Sequence, residues 1–170
     1  MVKMFLLVGP SGVGKSTALN KLKDEKFHCF NLDDEIKKET GKDLTELLGE
    51  GNLFLEKSKE IICAIEKRFV EKDFLLIDVG AGSTNKKESY NYFLEKNLIY
   101  LILNDADALF KRRPCHPSKK SYMDAELNPH KKKNFYDLIP NSNCINVKNM
   151  SKQEVADAIK KVVLTQKFFK

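Results

Sequence analysis

Short apolar runs alternate along this chain with longer stretches in which apolar residues recur every three or four positions. Met4-Phe5-Leu6-Leu7-Val8 is too short and too uniformly apolar for a surface helix and reads as a buried strand. A glycine-rich loop follows, then a helix over about 15–25. A second strand is predicted from Phe27 to Leu32, and a helix opens at Asp33-Asp34 with Ile36 behind them and breaks at Gly41. Leu44, Leu47 and Leu48 mark another turn or two. Between about 52 and 71, Ile61, Ile62, Ile65, Phe69 and Val70 form the apolar stripe of a long helix. Phe74-Leu75-Leu76-Ile77 reads as the central strand and ends in Asp78-Val79-Gly80-Ala81-Gly82. A helix through Tyr90 to Leu94, a strand from Leu98 to Leu103 and a helix from Ala106 toward Arg112 come next. Pro114 and Pro117 keep 113–120 out of regular helix. Pro129, capped by Asn128, starts a helix that runs to about Tyr136. A last strand, Cys144 to Val147, precedes a helix bearing Val155, Ile159, Val162 and Val163, with Ser151 and Glu154 spaced as a capping box. Strands alternating with helices predict an α/β domain with a mostly parallel sheet buried on both faces. All 170 residues are expected to form one domain, with the proline-interrupted segment 111–124 as its excursion.

Composition narrows the class. No stretch approaches the roughly 20 apolar residues of a membrane helix, and Met4 to Val8 is too short for a signal peptide. Cys29, Cys63, Cys115 and Cys144 lie far apart without CxxC spacing, so reduced thiols and a cytoplasmic protein are expected, not a disulfide framework or a zinc site. The formal net charge of +6 is local: Lys111 to Lys133 holds eight basic residues against two acids, and the remainder is balanced. Such a segment suits an anionic ligand, a nucleotide phosphate or a nucleic-acid backbone, or is simply a solvated lysine-rich surface.

The chemistry is carried by Gly9-Pro10-Ser11-Gly12-Val13-Gly14-Lys15-Ser16-Thr17, which matches GxxxxGK[ST] between a buried strand and a helix. Glycines let backbone N–H groups turn inward around phosphate oxygens. The Lys15 ammonium reaches the β- and γ-phosphates, the Ser16 hydroxyl suits magnesium, and the helix N-terminus adds positive field. Gly9, Gly12, Val13, Gly14, Lys15, Ser16 and Thr17 are therefore the expected ATP-binding residues. Asp78 ends an apolar strand and so resembles a Walker B acid that holds magnesium directly or through water; the plainer alternative is an ordinary strand-end aspartate. Asp33 and Asp34 follow the second strand, at the sheet edge where α/β folds bind ligands. A carboxylate there can accept the proton of an attacking hydroxyl, or can serve only the helix macrodipole.

The succession of strand, GxxGxGKST, strand with Asp, helix with IxxxTG, long helix, strand with a glycine triplet, Arg-Pro and a basic helix with tyrosine resembles the shikimate kinases. The resemblance covers about residues 3 to 165. It implies a P-loop kinase of the nucleoside monophosphate kinase-like fold, a five-stranded parallel sheet of order 2-3-1-4-5, ATP and Mg2+ as cofactors, and phosphorylation of a small-molecule hydroxyl. By resemblance Asp33 takes the substrate position, and Asn31 stands where a magnesium-associated aspartate is usual. Lys57, with Glu60 three residues on, replaces an arginine that grips the substrate carboxylate. Gly80-Ala81-Gly82 replaces a glycine triplet, Arg113-Pro114 matches the lid that closes over the phosphates, and Lys132, four residues before Tyr136, replaces a second carboxylate-binding arginine. Lysine offers a point charge where arginine offers a planar fork.

The expected catalytic set is Lys15, Asp33 and Arg113, with Lys57, Gly80, Ala81, Gly82 and Lys132 shaping the acceptor site and Ser16 and Asp78 facing the metal. The partners are ATP/ADP and a small hydroxylated acceptor, anionic if shikimate is retained, on a monomeric protein. Kinases of another polyol, nucleoside or nucleotide are the neighbouring readings. Arginines are confined to Arg68, Arg112 and Arg113, which counts against a nucleotide acceptor. A nucleic-acid-binding protein built on 111–133 is the remaining class; within that segment only Tyr122 could stack on bases.

Overall fold

A computed structural model describes residues 3–23, 26–42, 46–47, 50, 52–69, 73–81, 87–103, 105–112, 118, 120, 123 and 135–166. Its strands are β1 (Lys3–Val8), β2 (Phe27–Asn31), β3 (Phe74–Asp78), β4 (Asn97–Ile102) and β5 (Cys144–Asn146). Its helices are α1 (Lys15–Leu22), α2 (Leu32–Thr40), α3 (Leu53–Glu66), α4 (Lys87–Leu94), α5 (Ala106–Lys111) and α6 (Lys152–Thr165). All strand pairs described are parallel and the order is β2-β3-β1-β4-β5, as the sequence resemblance implies.

The apolar runs lack polar alternation because both faces of the sheet are covered. From β1, Phe5 and Leu7 point into a core completed by Leu19 and Leu22 of α1 and by Val155, Ile159 and Val163 of α6. Met4, Leu6 and Val8 point the other way, toward Ile36 of α2, Phe54, Ile62 and Ile65 of α3, and Phe93 of α4. Helix ends follow local chemistry. Asn31 caps α2, its side-chain Oδ1 accepting from the Asp34 N–H at 3.1 Å, and Gly41 closes that helix in the left-handed region at φ 70°. Ser151 and Glu154 form the predicted reciprocal cap of α6.

Several boundaries differ from the sequence reading. α1 stops at Leu22, and Leu32 belongs to α2 because Asn31, as cap, ends β2 one residue earlier. α3 stops at Glu66 and does not run on toward 71. Phe69 is drawn to β2 instead, its ring 4.2 Å from that of His28 and edge-on to Phe30 at 5.9 Å. The helix proposed from Pro129 lies outside the described residues up to Phe135, where Phe135 is fully buried and Tyr136 stacks on Tyr100 of β4 at 4.3 Å. No helix among the described residues is long and apolar enough to cross a membrane.

Candidate active site

The site forms where β1, β2 and β3 end together. Parallel register sets Leu7, the penultimate residue of β1, and Asn31, the last of β2, level with Asp78, the last of β3, so three strands end close to one line. Between β1 and α1 the chain turns through Gly9, Gly12 and Gly14, with φ of 148°, 84° and 108°. Those angles are costly for residues with a Cβ. At Gly9 a side chain is also excluded by space, because a Cβ there would lie 2.6 Å from the Leu101 carbonyl oxygen. Val13, 2% exposed, pins the loop into the core beneath it.

Lys15 is only 7% exposed. Its Nζ donates to the Gly9 carbonyl at 3.0 Å and the Pro10 carbonyl at 3.4 Å, and lies 3.8 Å from Asp78 Oδ1. Asp78 in turn accepts from the Ser16 hydroxyl at 2.6 Å and from the Asn31 side-chain amide at 3.4 Å, both at Oδ2. A buried carboxylate is tolerated here because an ammonium and two donors face it. Its Oδ1 takes no hydrogen bond among the described residues. The Ser16 hydroxyl and this oxygen form the hard, oxygen-only donor set that suits Mg2+, the metal that the sequence resemblance implies. Asn31 serves two partners: its side-chain Oδ1 caps α2 and its amide nitrogen donates to Asp78.

The two aspartates of α2 separate cleanly. Asp34 is exposed and contributes its N–H to the cap. Asp33 turns toward β3, where the Gly80 backbone passes so near that a Cβ would lie 3.0 Å from the Asp33 Cγ and collide with its carboxylate. Asp33 thus lines the same cleft as the phosphate-binding loop, whereas Asp34 does not.

That cleft has a volume of about 650 Å3. Gly12, Val13, Gly14, Lys15, Ser16, Thr17, Asp33, Asp78, Gly80 and Ala81 all line it. Lys57 is not part of its wall. Its ammonium pairs with Glu60 Oε2 at 2.5 Å and Glu39 Oε1 at 3.8 Å, and the hydrogen bond to Glu60 raises its pKa above the usual lysine value. Arg113, Gly82 and Lys132 lie outside the described residues. The sequence reading passed over Arg112, which lines the cleft and reaches the Gly12 carbonyl at 3.5 Å. Its signal was its place at the end of a short helix after β4, masked by the more conspicuous Arg113-Pro114 beside it. It also passed over the turn between β5 and α6 and the start of α6, from which Val147 and Met150, and Lys152 and Val155, also line the cleft.

A model of the shikimate kinase family matches residues 11–164. The chain belongs to the shikimate kinase family, a class of ATP-dependent small-molecule kinases. None of the curated proteins matches it in sequence. Solved structures share its fold at low identity. A shikimate kinase from Bacteroides thetaiotaomicron is 20% identical, with 94% of this chain and 96% of that one aligned and a TM-score of 0.66. A shikimate kinase from Acinetobacter baumannii, solved in complex with shikimate, is 18% identical over 99% and 97% of the two chains, TM-score 0.64. A tunicamycin resistance protein from Deinococcus radiodurans is 15% identical over 96% of both chains, TM-score 0.68.

Proposed function

We propose that this protein transfers the γ-phosphoryl group of ATP to a hydroxyl of a small polyhydroxylated acceptor, with shikimate as the first acceptor to try. The observation that carries the reading is a single cleft with a phosphate-binding loop at its centre and the Asp33 carboxylate against Gly80 on one side. Backbone N–H groups of the loop and the α1 N-terminus hold the β- and γ-phosphates. Lys15, already fixed by two carbonyls and Asp78, stabilises charge on the moving group without having to be oriented at that moment. Ser16 and Asp78 are the residues that would hold Mg2+, which would neutralise negative charge developing on the phosphates. Asp33 orients the acceptor hydroxyl and takes its proton. Gly80 and Ala81 bound the acceptor from β3, and the absence of a side chain at Gly80 makes room for Asp33. Arg112, Val147, Met150 and Val155, which line the same cleft, frame space for the nucleotide's non-phosphate end. Roles for Arg113, Gly82 and Lys132 rest on the family resemblance.

The test is ADP release from ATP and magnesium, measured with and without shikimate and then with a panel of polyols and nucleosides. Acceptor-stimulated release with stoichiometric phosphorylated product supports the reading. ATP turnover that no hydroxyl compound alters would sink it.

A further inference from the structure

β2 passes into α2 with no residue between them: Asn31 ends the strand and Leu32 begins the helix. Asn31 is therefore placed twice, by its register opposite Asp78 and by its extended backbone at the head of α2 (φ −103°, ψ 121°). Its side chain meets a demand from each direction. The Asp34 N–H needs an acceptor, which Oδ1 supplies at 3.1 Å. The Asp78 carboxylate, only 3% exposed, takes a donor, which Nδ2 supplies to Oδ2 at 3.4 Å. Both partners select the same orientation of the amide, oxygen toward the helix and nitrogen toward the acid.

The second contact bears on what Asp78 can hold. Ser16 from α1 and Asn31 from β2 both donate to Oδ2, whereas Oδ1 accepts no hydrogen bond among the described residues. Groups that hydrogen-bond a metal-binding carboxylate set its orientation, and losing them weakens metal binding although they never touch the ion. Serine, threonine and aspartate would each cap α2. None of them carries a second, separate donor to spare for Asp78.

We propose that Asn31 is a positioning residue for the magnesium–nucleotide complex: its amide nitrogen holds the Asp78 carboxylate so that Oδ1 is presented to the cation, while its oxygen serves the helix. The inference rests on the kinase reading above, in which Ser16 and Asp78 hold Mg2+. Its test needs no acceptor, so it stands or fails apart from the acceptor chemistry.

The experiment measures the affinity of the full chain for the nonhydrolysable analogue AMP-PNP by displacement of a fluorescent nucleotide, in excess Mg2+ and in EDTA. The ratio of the two affinities is the magnesium gain, and thermal unfolding is followed in parallel. Asn31→Ser keeps the cap and removes the donor to Asp78. Its magnesium gain should fall by about tenfold, with the affinity in EDTA and the unfolding midpoint close to the parent's. Asn31→Asp keeps the cap and sets a second carboxylate against Asp78, a repulsion that the cation relieves. Its magnesium gain should rise by about fivefold, the water-like limit for two charges a few ångströms apart. Asn31→Ala removes both bonds and should add a lower unfolding midpoint to the Asn31→Ser loss.

A magnesium gain unchanged in Asn31→Ser and Asn31→Ala, with only the Asn31→Ala midpoint lowered, makes Asn31 a helix cap alone and overturns the inference. Equal losses of affinity with and without Mg2+ overturn it too, because they put Asn31 on the nucleotide and not behind the metal's ligand. A parent chain with no magnesium gain removes the metal role of Asp78, and this inference with it. The kinase reading fails on a different result, ADP release that no hydroxyl compound alters.

Discussion

The two halves of the cleft are made differently. The phosphate half is one continuous piece of chain, Gly9 to Thr17, with its key cation buried and tied to backbone carbonyls. The half proposed for the acceptor is assembled from side chains at the ends of β2 and β3, and Lys57, whose ammonium pairs with Glu60 and Glu39, is not part of its wall. A loop whose contacts are mostly backbone keeps its chemistry under wide sequence change. A half made of side chains from separate elements is open to a change of preference with one or two substitutions.

Variants confined to one half test this division. Asp33→Asn should have the largest effect, lowering phosphoryl transfer by about 10²–10⁴-fold while ATP affinity, read by fluorescent-nucleotide displacement, stays nearly intact. Full activity would acquit Asp33 and sink its role as proton acceptor. Lys15→Met should cost about 10²–10³-fold in turnover and weaken ATP binding as well, the joint loss that marks the phosphate half. Gly80→Ala forces a methyl group into the Asp33 carboxylate, and moving a reacting group by about 1 Å costs up to about 10²-fold. The loss should fall on acceptor kcat/KM, with nucleotide affinity unchanged; a matching loss of ATP affinity would show the halves to be coupled.

The smallest effect belongs to the α6 cap, which touches neither reacting group. Ser151→Ala should lower stability by about 1 kcal/mol in thermal or urea unfolding. Glu154 on the same cap adds a pH dependence. The Ser151 backbone N–H, and then its hydroxyl, hold the Glu154 carboxyl below its ordinary 4.5. Its contribution is therefore complete above about pH 4.5 and is lost as pH falls through the lowered folded value. The stability gap between the parent and Glu154→Gln should be full at neutral pH and close in acid.

Much of this arrangement is legible in the residues themselves. The phosphate loop is local, so spacing alone defines it, and the alternation of apolar runs with helical stripes is enough to reach a parallel α/β sheet. Strand order came through family resemblance, since periodicity carries no information about which strand lies beside which. Asp33 and Asp34 could not be separated from the sequence because adjacent helical residues differ only in direction, and direction is set by where β3 passes. The neutralisation of Lys57 was half visible: Glu60 lies on the same helix three residues on, but Glu39 arrives from α2 through tertiary packing. Phe69 kept its helical spacing yet left the helix, because stacking on His28 outweighed another turn.

The level line of Leu7, Asp78 and Asn31 has a consequence for how this protein can change over generations. Deleting one residue within β3 would turn Asp78 to the opposite face and part it from Ser16, although no active-site residue had been substituted. Insertions in the connections beyond the strand ends leave the line untouched and alter only what reaches over it. Heritable variation in acceptor choice is thus open to changes of loop length and closed to changes of strand length: the edge is passed on as one block, and what it phosphorylates drifts around it.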